Sequence, residues 1–581
     1  MKKLLLLLLS ASYFANGQAV QDWSQYLFGP NELVYGPTAL NNTITTDAAG
    51  NVYAIGVFAS TTGSNAVDLD PGPGVFNLNV TSGNIYITKT DALGNFIWAK
   101  QIGGSGPGFA GEITLDSTGN IYITGKVGYG FWDFNPSPTV NVLTYVSSLQ
   151  SNFIEKLDAN GTLIWVKLIN NDYSESYDQI DDINVDASGN VYTTGSFRLN
   201  TDFDPGTPLY NLATVSDGFK HIFVLKLDAS GNFVWAKAFK GTVDNYDGVA
   251  GHSLKSDSNG NVYVSGYFSG VTDFDPNAGV LNKTSVNGLS LFVTKLDLAG
   301  NLVWVNTYEK IGTAVFESKL VLDSANNPIV FDTTQDIQGG QSSKLYKLNS
   351  ADGTAIWTKV ISGVTVVVGP NGLTNTGGST ANCINLDSLG NIYLSGQFIG
   401  TVDFDPGVGV FTMVPSGSLT SMIANFDGFF VKLDVNGNFV YANQVGGTGA
   451  DYVSSVVVSP SGKLIIRGKA GTGGFTRSTN ATVEGGFMAS YSQPALGSSQ
   501  NELDTLSLYP NPTNGNLNIQ LSNTINNGTL KVITITGQMV FEQHNLNGTT
   551  FNFDVTSLNQ GVYIVQLISG NEVFNSKFIK Q

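Results

Sequence analysis

Short runs of alternating apolar and polar residues recur along most of the chain, and glycine-containing turns separate them. The most frequent turn has the form Asp-x-x-Gly-Asn, followed by a β-branched residue and tyrosine, as at residues 257–263. Alternation with a period of two predicts β-strands on both sides of the turn. Aspartate can accept hydrogen bonds from the turn backbone, and glycine tolerates the positive φ that a tight turn needs. We therefore predict that each phrase forms a β-hairpin.

The turn phrase occurs seven times, and we number these occurrences copies 1 to 7. Its asparagine, or the equivalent residue, lies at positions 51, 120, 190, 261, 327, 391 and 463, so the successive steps are 69, 70, 71, 66, 64 and 72 residues. Copies 5 and 7 keep the spacing but have lost parts of the phrase. Self-similarity at a regular period is the signature of a repeat architecture.

A second hairpin phrase follows the first in copies 1 to 6, as at residues 223–237. Each copy then has four short strands, which we label a, b, c and d in chain order. Seven copies of such a unit predict an all-β fold, a seven-bladed β-propeller. Strand d carries an aromatic residue at one register, namely Trp98, Trp165, Trp235, Trp304, Trp357 or Tyr441. Because these residues recur with the copies, we interpret them as packing between neighbours rather than as platforms for sugars.

Copy 7 ends after strand c, at residues 487–491, and has no strand d of its own. A segment with the strand d pattern stands instead near the N-terminus, at residues 22–29. We predict that this N-terminal strand completes copy 7 and closes the propeller. Such closure would remove the open sheet edges that otherwise promote aggregation.

The first seventeen residues have the three zones of a secretory signal peptide. Two lysines precede a leucine run at residues 4–9, and small residues lead to Gly17. We predict cleavage between Gly17 and Gln18. A retained membrane anchor is the alternative, but the apolar run ends near residue 14 and is short for a span of about 20 residues. We expect no transmembrane helix in the mature protein.

Composition narrows the range of partners. Lys and Arg number 28 and Asp and Glu number 45, which gives 28 − 45 = −17. This charge would repel a phosphate backbone, so we expect no nucleic-acid binding, whereas cationic partners or divalent metals are compatible with it. Cys383 is the only cysteine, so no intramolecular disulfide can form. Three histidines are too few and too scattered for a zinc cluster.

A third phrase, usually Asp-x-Asp-Pro, lies between strands b and c. Two carboxylates at this spacing, with carbonyls from a Pro-Gly turn, can contribute to a Ca²⁺ site, which needs about six to eight oxygens. The alternative, which we favour, is an Asx-type turn with its central aromatic residue packed under the blade. Since the b–c and d–a loops should emerge together, we expect the acids to crowd one end of the propeller. The candidate ligands are Asp68, Asp70, Asp202, Asp204, Asp273, Asp275, Asp403 and Asp405.

Acidic residues also bear on catalysis. A hydrolase with paired carboxylates would need one acid in a distinctive neighbourhood. The acids here repeat with the copies, which favours an architectural role, and we identify no catalytic residue. The alternative is a glycan hydrolase or lyase with its acids in the loops, among Asp172, Glu175, Asp178, Asp244 and Asp247.

Two resemblances complete the sequence analysis. Residues 22–493 resemble the SBBP β-propeller repeats, which are common in secreted proteins of Bacteroidetes-type bacteria. After a polar linker at residues 494–503, the β-rich module at 504–581 is similar to the type A sorting domain of the type IX secretion system. The motif positions are Pro510, Asn511, Pro512, Gly515, Gly537, Gly561, Tyr563 and Lys577.

The second resemblance implies interaction with the type IX machinery, export across the outer membrane and removal of the domain. The mature protein would then be attached to surface lipopolysaccharide or released. From its strands and turns alone, the module is a small antiparallel β-sandwich, for which a carbohydrate-binding or spacer role is the alternative.

These inferences define four segments. They are a signal peptide at 1–17, a propeller at 18–493, a linker at 494–503 and a sorting domain at 504–581. We expect a secreted or cell-surface protein that binds an extracellular glycan or protein without catalysis. A structural role in the envelope or biofilm is a further alternative.

Overall fold

The computed structural model describes most of the chain in segments. These are residues 18–26, 32–33, 43–60, 66–80, 83–135, 143–171, 179–198, 201–207, 209–212, 219–242, 249–309, 318–335, 341–368, 373–416, 426–447, 449–476, 482–493, 507–534, 539–569 and 572–581. The chain divides into two compact units, Met1–Gln493 and Pro494–Gln581. No helix within the described segments is long and apolar enough to cross a membrane.

In the described segments both units consist of β-strands and turns, which confirms the all-β prediction. The strands of the first unit are β1 (Val20–Tyr26), β2 (Glu32–Leu33), β3 (Ile44–Thr46), β4 (Val52–Val57), β5 (Ala59–Ser60), β6 (Ala66–Asp68), β7 (Asn77–Asn79), β8 (Gly83–Thr90), β9 (Phe96–Gly104), β10 (Gly108–Leu115), β11 (Ile121–Asp133), β12 (Leu143–Leu157), β13 (Leu163–Asn171), β14 (Gln179–Val185), β15 (Val191–Phe197), β16 (Thr201–Asp202), β17 (Asn211–Leu212), β18 (His221–Leu227), β19 (Phe233–Gly241), β20 (Ala250–Ser256), β21 (Val262–Asp273), β22 (Asn282–Leu296), β23 (Leu302–Glu309), β24 (Leu320–Leu322), β25 (Pro328–Gln335), β26 (Gln341–Leu348), β27 (Ala355–Gly363), β28 (Thr365–Val368), β29 (Leu373–Thr376), β30 (Gly378–Leu386), β31 (Ile392–Ile399), β32 (Val402–Asp403), β33 (Thr412–Met413), β34 (Asp427–Leu433), β35 (Phe439–Val445), β36 (Tyr452–Val458), β37 (Leu464–Thr476) and β38 (Thr482–Ser492).

Antiparallel pairing joins strands a to d of each of the first six copies. In chain order the paired sets are β3-β4-β8-β9, β10-β11-β12-β13, β14-β15-β18-β19, β20-β21-β22-β23, β24-β25-β26-β27 and β30-β31-β34-β35. The alternating apolar side chains of these strands form buried clusters that include residues from adjacent copies. This arrangement is consistent with a β-propeller.

The N-terminal strand pairs with the last copy. Strands a, b and c of copy 7 are β36, β37 and β38, and β1 runs antiparallel to β38, with Val20 opposite Ser492. Asp22 secures this pairing, because its carboxylate accepts hydrogen bonds from Ser492 Oγ at 2.6 Å and Lys463 Nζ at 3.1 Å. β1 therefore occupies the position of strand d in copy 7.

The repeated turns have one hydrogen-bond pattern. In copy 4, Asp257 Oδ1 accepts the backbone N–H groups of Asn259 and Asn261 at 2.9 Å, and Asp257 Oδ2 accepts Asn261 Nδ2–H at 2.8 Å. Gly260 has φ +78°, a conformation that favours glycine. The same pattern is present at Asp47, Asp91, Asp116, Asp186, Asp228, Asp297, Asp323, Asp387 and Asp434. Local turn chemistry therefore sets where each hairpin reverses.

The second unit is built around one long strand. Its strands are β39 (Ser507–Tyr509), β40 (Asn516–Thr534), β41 (Met539–Asp554), β42 (Gly561–Ser569) and β43 (Glu572–Lys580). The sheet order is β39-β40-β42-β43, and β41 pairs with β40. Apolar residues such as Leu517, Val532 and Phe578 form a separate buried core.

Candidate functional sites

The Asp-x-Asp-Pro phrase forms a loop that its two aspartates close. In copy 6, Asp403 Oδ1 accepts the N–H groups of Asp405 at 3.1 Å and Phe411 at 2.8 Å, and Asp405 Oδ1 accepts the N–H of Gly407 at 2.8 Å. Corresponding bonds are made by Asp68, Asp70, Asp202, Asp204, Asp273 and Asp275. One oxygen of each of these carboxylates therefore holds its own loop.

The central residue of the phrase packs inside the copy. Phe404 is fully buried, and its ring centroid lies 5.3 Å from that of Phe398 and 4.8 Å from that of Phe429. Its counterparts Leu69, Phe134, Phe203 and Phe274 are buried as well. Across the described segments, no three His, Cys, Asp or Glu side chains come together as potential metal ligands. Calcium binding by the eight aspartates stays a prediction.

The phrase also covers the outer strand of the preceding copy. In copy 6, β32 pairs with β27 of copy 5, with Asp403 opposite Ser362, and similar pairings join β16 to β13, β21 to β19 and β11 to β9. In copy 4 the loop extends further, and Asn277 bonds both Lys237 of copy 3 and Asn301 in its own c–d turn. The phrases therefore lie along the outer strands, because pairing satisfies the exposed edge of strand d. Each pairing uses the last two residues of strand d, and the expected crowding of the acids at one end stays a prediction.

The strand d tryptophans contact the c–d turn of the next copy. Trp165 Nε1–H donates to Ala229 O at 3.3 Å, and its ring lies 3.1 Å from where a Cβ on Gly231 would stand. The same ring-to-glycine contact pairs Trp98 with Gly161, Trp235 with Gly300, Trp304 with Gly353, Trp357 with Gly437 and, from β1, Trp23 with Gly94. These tryptophans pack between copies.

Strand a of all seven copies lines a cavity of about 170 Å³, which we call the inner cavity. Each copy contributes the residue that lies four positions before its turn aspartate or, in copy 7, serine. These residues are Thr43, Glu112, Asp182, Ser253, Lys319, Cys383 and Ser455. The sequence analysis missed this set, although an alignment of the copies on their turns reveals a polar position whose charge changes from copy to copy.

The charged groups of the inner cavity pair with one another. Glu112 Oε1 lies 2.6 Å from Lys319 Nζ, and Asp182 Oδ2 lies 3.3 Å from Lys255 Nζ. Burial alone would raise the pKa of Asp182, but the two lysines hold it below its usual value. Burial raises the pKa of the Cys383 thiol, which lowers the fraction present as the reactive thiolate. The inner cavity is also smaller than typical small-molecule sites of about 300–1,000 Å³.

A second cavity, of about 480 Å³, lies beside the turns of copies 1 and 2. Among its lining residues, Tyr53 donates to Asp47 Oδ2 at 3.2 Å, and Lys89 Nζ lies 4.7 Å from the centre of the Tyr53 ring. The same Asp–Tyr–Lys arrangement recurs in copies 2, 3, 4 and 6. A repeated arrangement of this kind belongs to the scaffold.

One acid stands apart from the repeat pattern. Glu155 is fully buried in copy 2, and neither of its carboxyl oxygens has a hydrogen-bond partner within the described segments. Burial, followed by the charge of Asp133, raises its pKa well above the usual range. A polymeric substrate cannot reach this side chain. The loop acids Asp172, Glu175, Asp178, Asp244 and Asp247 lie outside the described residues.

Several motif residues of the C-terminal unit lie on its last two strands or contact them. Asn511 Oδ1 accepts the N–H of Ile579 at 2.9 Å, and the Tyr563 and Phe578 rings stack with centroids 5.5 Å apart. Pro510 and Pro512 flank Asn511, while Gly515 accepts from Val555 N–H. Gly561 and Lys577 lie on the paired strands β42 and β43. Gly537, like Gly17 of the cleavage site, lies outside the described residues.

Comparison with known families matches both units. Residues 97–126 match the Beta-propeller repeat family, SBBP, and residues 507–581 match the Secretion system C-terminal sorting domain family. Within the first unit the match is confined to residues 97–126, and it supports a β-propeller repeat there. The C-terminal unit is a type IX sorting domain, which directs export to the extracellular space or the cell surface.

Individual proteins are more distant. The uncharacterized WD repeat-containing protein L264 of Acanthamoeba polyphaga mimivirus is 24% identical over 462 residues, which is 65% of this chain and 31% of that protein. The chain thus spans about a third of the length of that curated relative.

Solved structures share little sequence with this chain. Sqt1 from Chaetomium thermophilum aligns with a TM-score of 0.33 and 9% identity over 82% of this chain and 100% of its own. The polysaccharide lyase Uly1 aligns with a TM-score of 0.30 and 10% identity over 81% of this chain and 98% of its own. A glycoside hydrolase of family 32 from Bifidobacterium adolescentis aligns with a TM-score of 0.24 and 10% identity over 96% of this chain and 95% of its own.

Proposed function

We propose that the mature protein is a surface or released propeller that binds an extracellular glycan or protein without catalysis. The observation that carries this proposal is that the recurrent polar and aromatic side chains make contacts within the fold itself. The turn aspartates close hairpins, the tryptophans pack between copies, and the charges of the inner cavity form pairs. Partner recognition then falls to the loops, which are the variable parts of a repeat scaffold.

The same proposal includes a ring of seven blades that β1 closes. Strand a of all seven copies lines one cavity, which supports this architecture. Contacts between copies 7 and 1 support it too, because Arg467 donates to Ile55 O at 2.7 Å and to the Tyr86 hydroxyl. Trp23 of β1 bonds Ala92 O of copy 1 at 3.3 Å, as the other tryptophans bond their neighbours.

The proposal also includes two cleavages during export, one at each end of the propeller. Cleavage between Gly17 and Gln18 would leave β1 close to the new N-terminus, and removal of residues 504–581 at the 494–503 linker would release the propeller. The boundary between the two compact units, after Gln493, supports this division. We also propose a sandwich for the sorting domain, supported by the pairing of the irregular strand β40 with both β41 and β42.

Binding and turnover can be tested together on the purified full chain. We expect saturable binding to one member of an extracellular polysaccharide and glycan panel or to a surface protein, with no new reducing ends or unsaturated sugars. Substitution to alanine at Asp172, Glu175, Asp178, Asp244 and Asp247, one at a time, addresses the enzyme alternative, with D352N at an exposed turn as the control. The binding proposal would be contradicted if the protein turned over a substrate and one loop substitution abolished this turnover while D352N left it intact.

A further inference from the structure

Two buried carboxylates meet where copy 6 passes into copy 7. Asp427 begins strand c of copy 6, and Asp451 immediately precedes strand a of copy 7. Their side chains are 0% and 1% exposed. A Cβ placed on Gly446 would lie 2.9 Å from Asp427 Oδ1 and 2.9 Å from Asp451 Oδ2, so the two oxygens face one point beside this glycine.

Three of the four carboxylate oxygens already accept N–H groups. Asp427 Oδ2 accepts the backbone N–H of Ser416 at 2.9 Å and a side-chain N–H of Gln444. Asp451 Oδ2 accepts Gly447 N–H at 2.9 Å, and Asp451 Oδ1 accepts Gly471 N–H at 2.8 Å. Such donors fix both carboxyl groups in place.

The fourth oxygen, Asp427 Oδ1, is buried and has no hydrogen-bond partner within the described segments. A buried acceptor without a partner is costly, and two adjacent buried carboxylates strongly disfavour a second negative charge. A proton or a cation at this point would supply the missing partner and also offset the second charge. A Ca²⁺ ion would need about six to eight oxygen ligands, whereas a proton needs only two oxygens.

We propose that Asp451 keeps a proton on Oδ2 and donates it to the unpartnered Asp427 Oδ1, forming a pH-sensitive link between copies 6 and 7. One carboxyl group acts as the O–H donor and the other as the acceptor, as in other paired carboxylates. When the pH rises and the proton leaves, the two negative charges repel each other. The d–a connection at Gly446 and Gly447 then loses its anchor on Asp451.

The hydrogen-bond donors to the pair among the described residues are all uncharged. β34 contributes Asp427, β35 contributes Gln444, the d–a connection contributes Gly446 and Gly447, and the other donors are the backbone amides of Ser416 and Gly471. Burial and then the charge of Asp427 raise the pKa of Asp451. The folded protein therefore binds a proton that the unfolded chain releases at lower pH. Its contribution to stability is present at low pH and disappears as the pH rises through the folded pKa of Asp451.

The D427N variant tests the proposal in the full chain. The side-chain amide that this substitution introduces can donate to Asp451 Oδ2 without titrating, so it replaces the bridging proton. Between pH 4.5 and 8, we expect the Tm of the native protein to fall relative to that of D427N by on the order of 2 °C. D451N should reduce the same pH dependence. D387N is the control, because the N–H groups of Asn391 lower the pKa of Asp387 despite burial, so this substitution should leave the pH dependence between pH 4.5 and 8 unchanged.

Two local measurements keep the test independent of global folding. Above the folded pKa of Asp451, amide hydrogen exchange at Gly447 and Gly471 should accelerate in the native protein relative to D427N. At lower pH, the infrared difference spectrum between the native protein and D427N should contain a protonated carboxyl band. A Tm difference that does not change with pH, or the absence of this band, overturns the proposal. A rise in Tm with added CaCl₂ in the native protein but not in D427N also overturns it, in favour of a bound cation.

Discussion

A glycine in a turn can have two roles, because it adopts a positive φ and also leaves room for a tryptophan ring. Gly231 has φ +77° and lies beneath the Trp165 ring of the preceding copy, whereas Gly462 has φ +80° and no atom within 4 Å of a Cβ placed on it. A comparison of these two glycines therefore separates the effect of backbone conformation from the effect of packing. The positive φ was predictable from the turn phrase, but the ring contact was not, because it joins residues 66 positions apart across two copies.

We expect G231A to be more destabilising than G462A. Both variants place a side chain at positive φ, which costs about 1 kcal/mol. Only G231A also forces the methyl group against Trp165 and Lys167, which should lower the free energy of unfolding by about a further 1–2 kcal/mol. Denaturant unfolding of the two variants measures the difference. Equal losses would mean that the ring contact contributes little.

At the scale of strands, the hairpins, the packing of the strand d tryptophans between copies and the pairing of β1 with copy 7 were predictable from sequence, but the polar contacts between copies were not. Turn phrases and alternation are local signals, so strands a to d could be placed from residues such as Asp257 and Gly260. The Glu112–Lys319 pair joins residues 207 positions apart and depends on which strand lines the inner cavity. The position of the third phrase along strand d likewise depends on edge pairing between copies, which no local signal specifies.

β1 gives the sharpest prediction at this scale. Deletion of residues 18–30 should destabilise the first unit by about 3 kcal/mol or more, because Trp23 leaves its turn and β38 loses a paired strand. Deletion of residues 505–581 should leave the unfolding of the first unit nearly unchanged. Thermal unfolding of both variants beside the full chain distinguishes the two cases. If the first deletion has the smaller effect, β1 does not close the propeller.

The whole molecule carries a charge of −17, which makes divalent cations plausible partners. The outer loops, however, use one oxygen of each aspartate for their own backbone, as Asp403 does for Phe411 N–H. We therefore expect a chelator to leave the Tm of the full chain unchanged. A Ca²⁺ ion bound at a hundred times its Kd would instead add about 2.7 kcal/mol of stability. If the chelator lowers the Tm, and D403N together with D405N removes the effect, the calcium prediction for these loops is correct.

The partnership of β1 with β38 has a consequence for synthesis and export. Asp22 is among the first residues after the predicted cleavage site, yet its hydrogen-bond partner Ser492 lies 470 residues later. β1 must therefore remain unpaired until almost the whole first unit has been made. A chain that stops early offers β1 no partner, so completion of this sheet distinguishes full-length molecules from truncated ones. The N-terminal strand can therefore complete its sheet only in molecules that extend to residue 492.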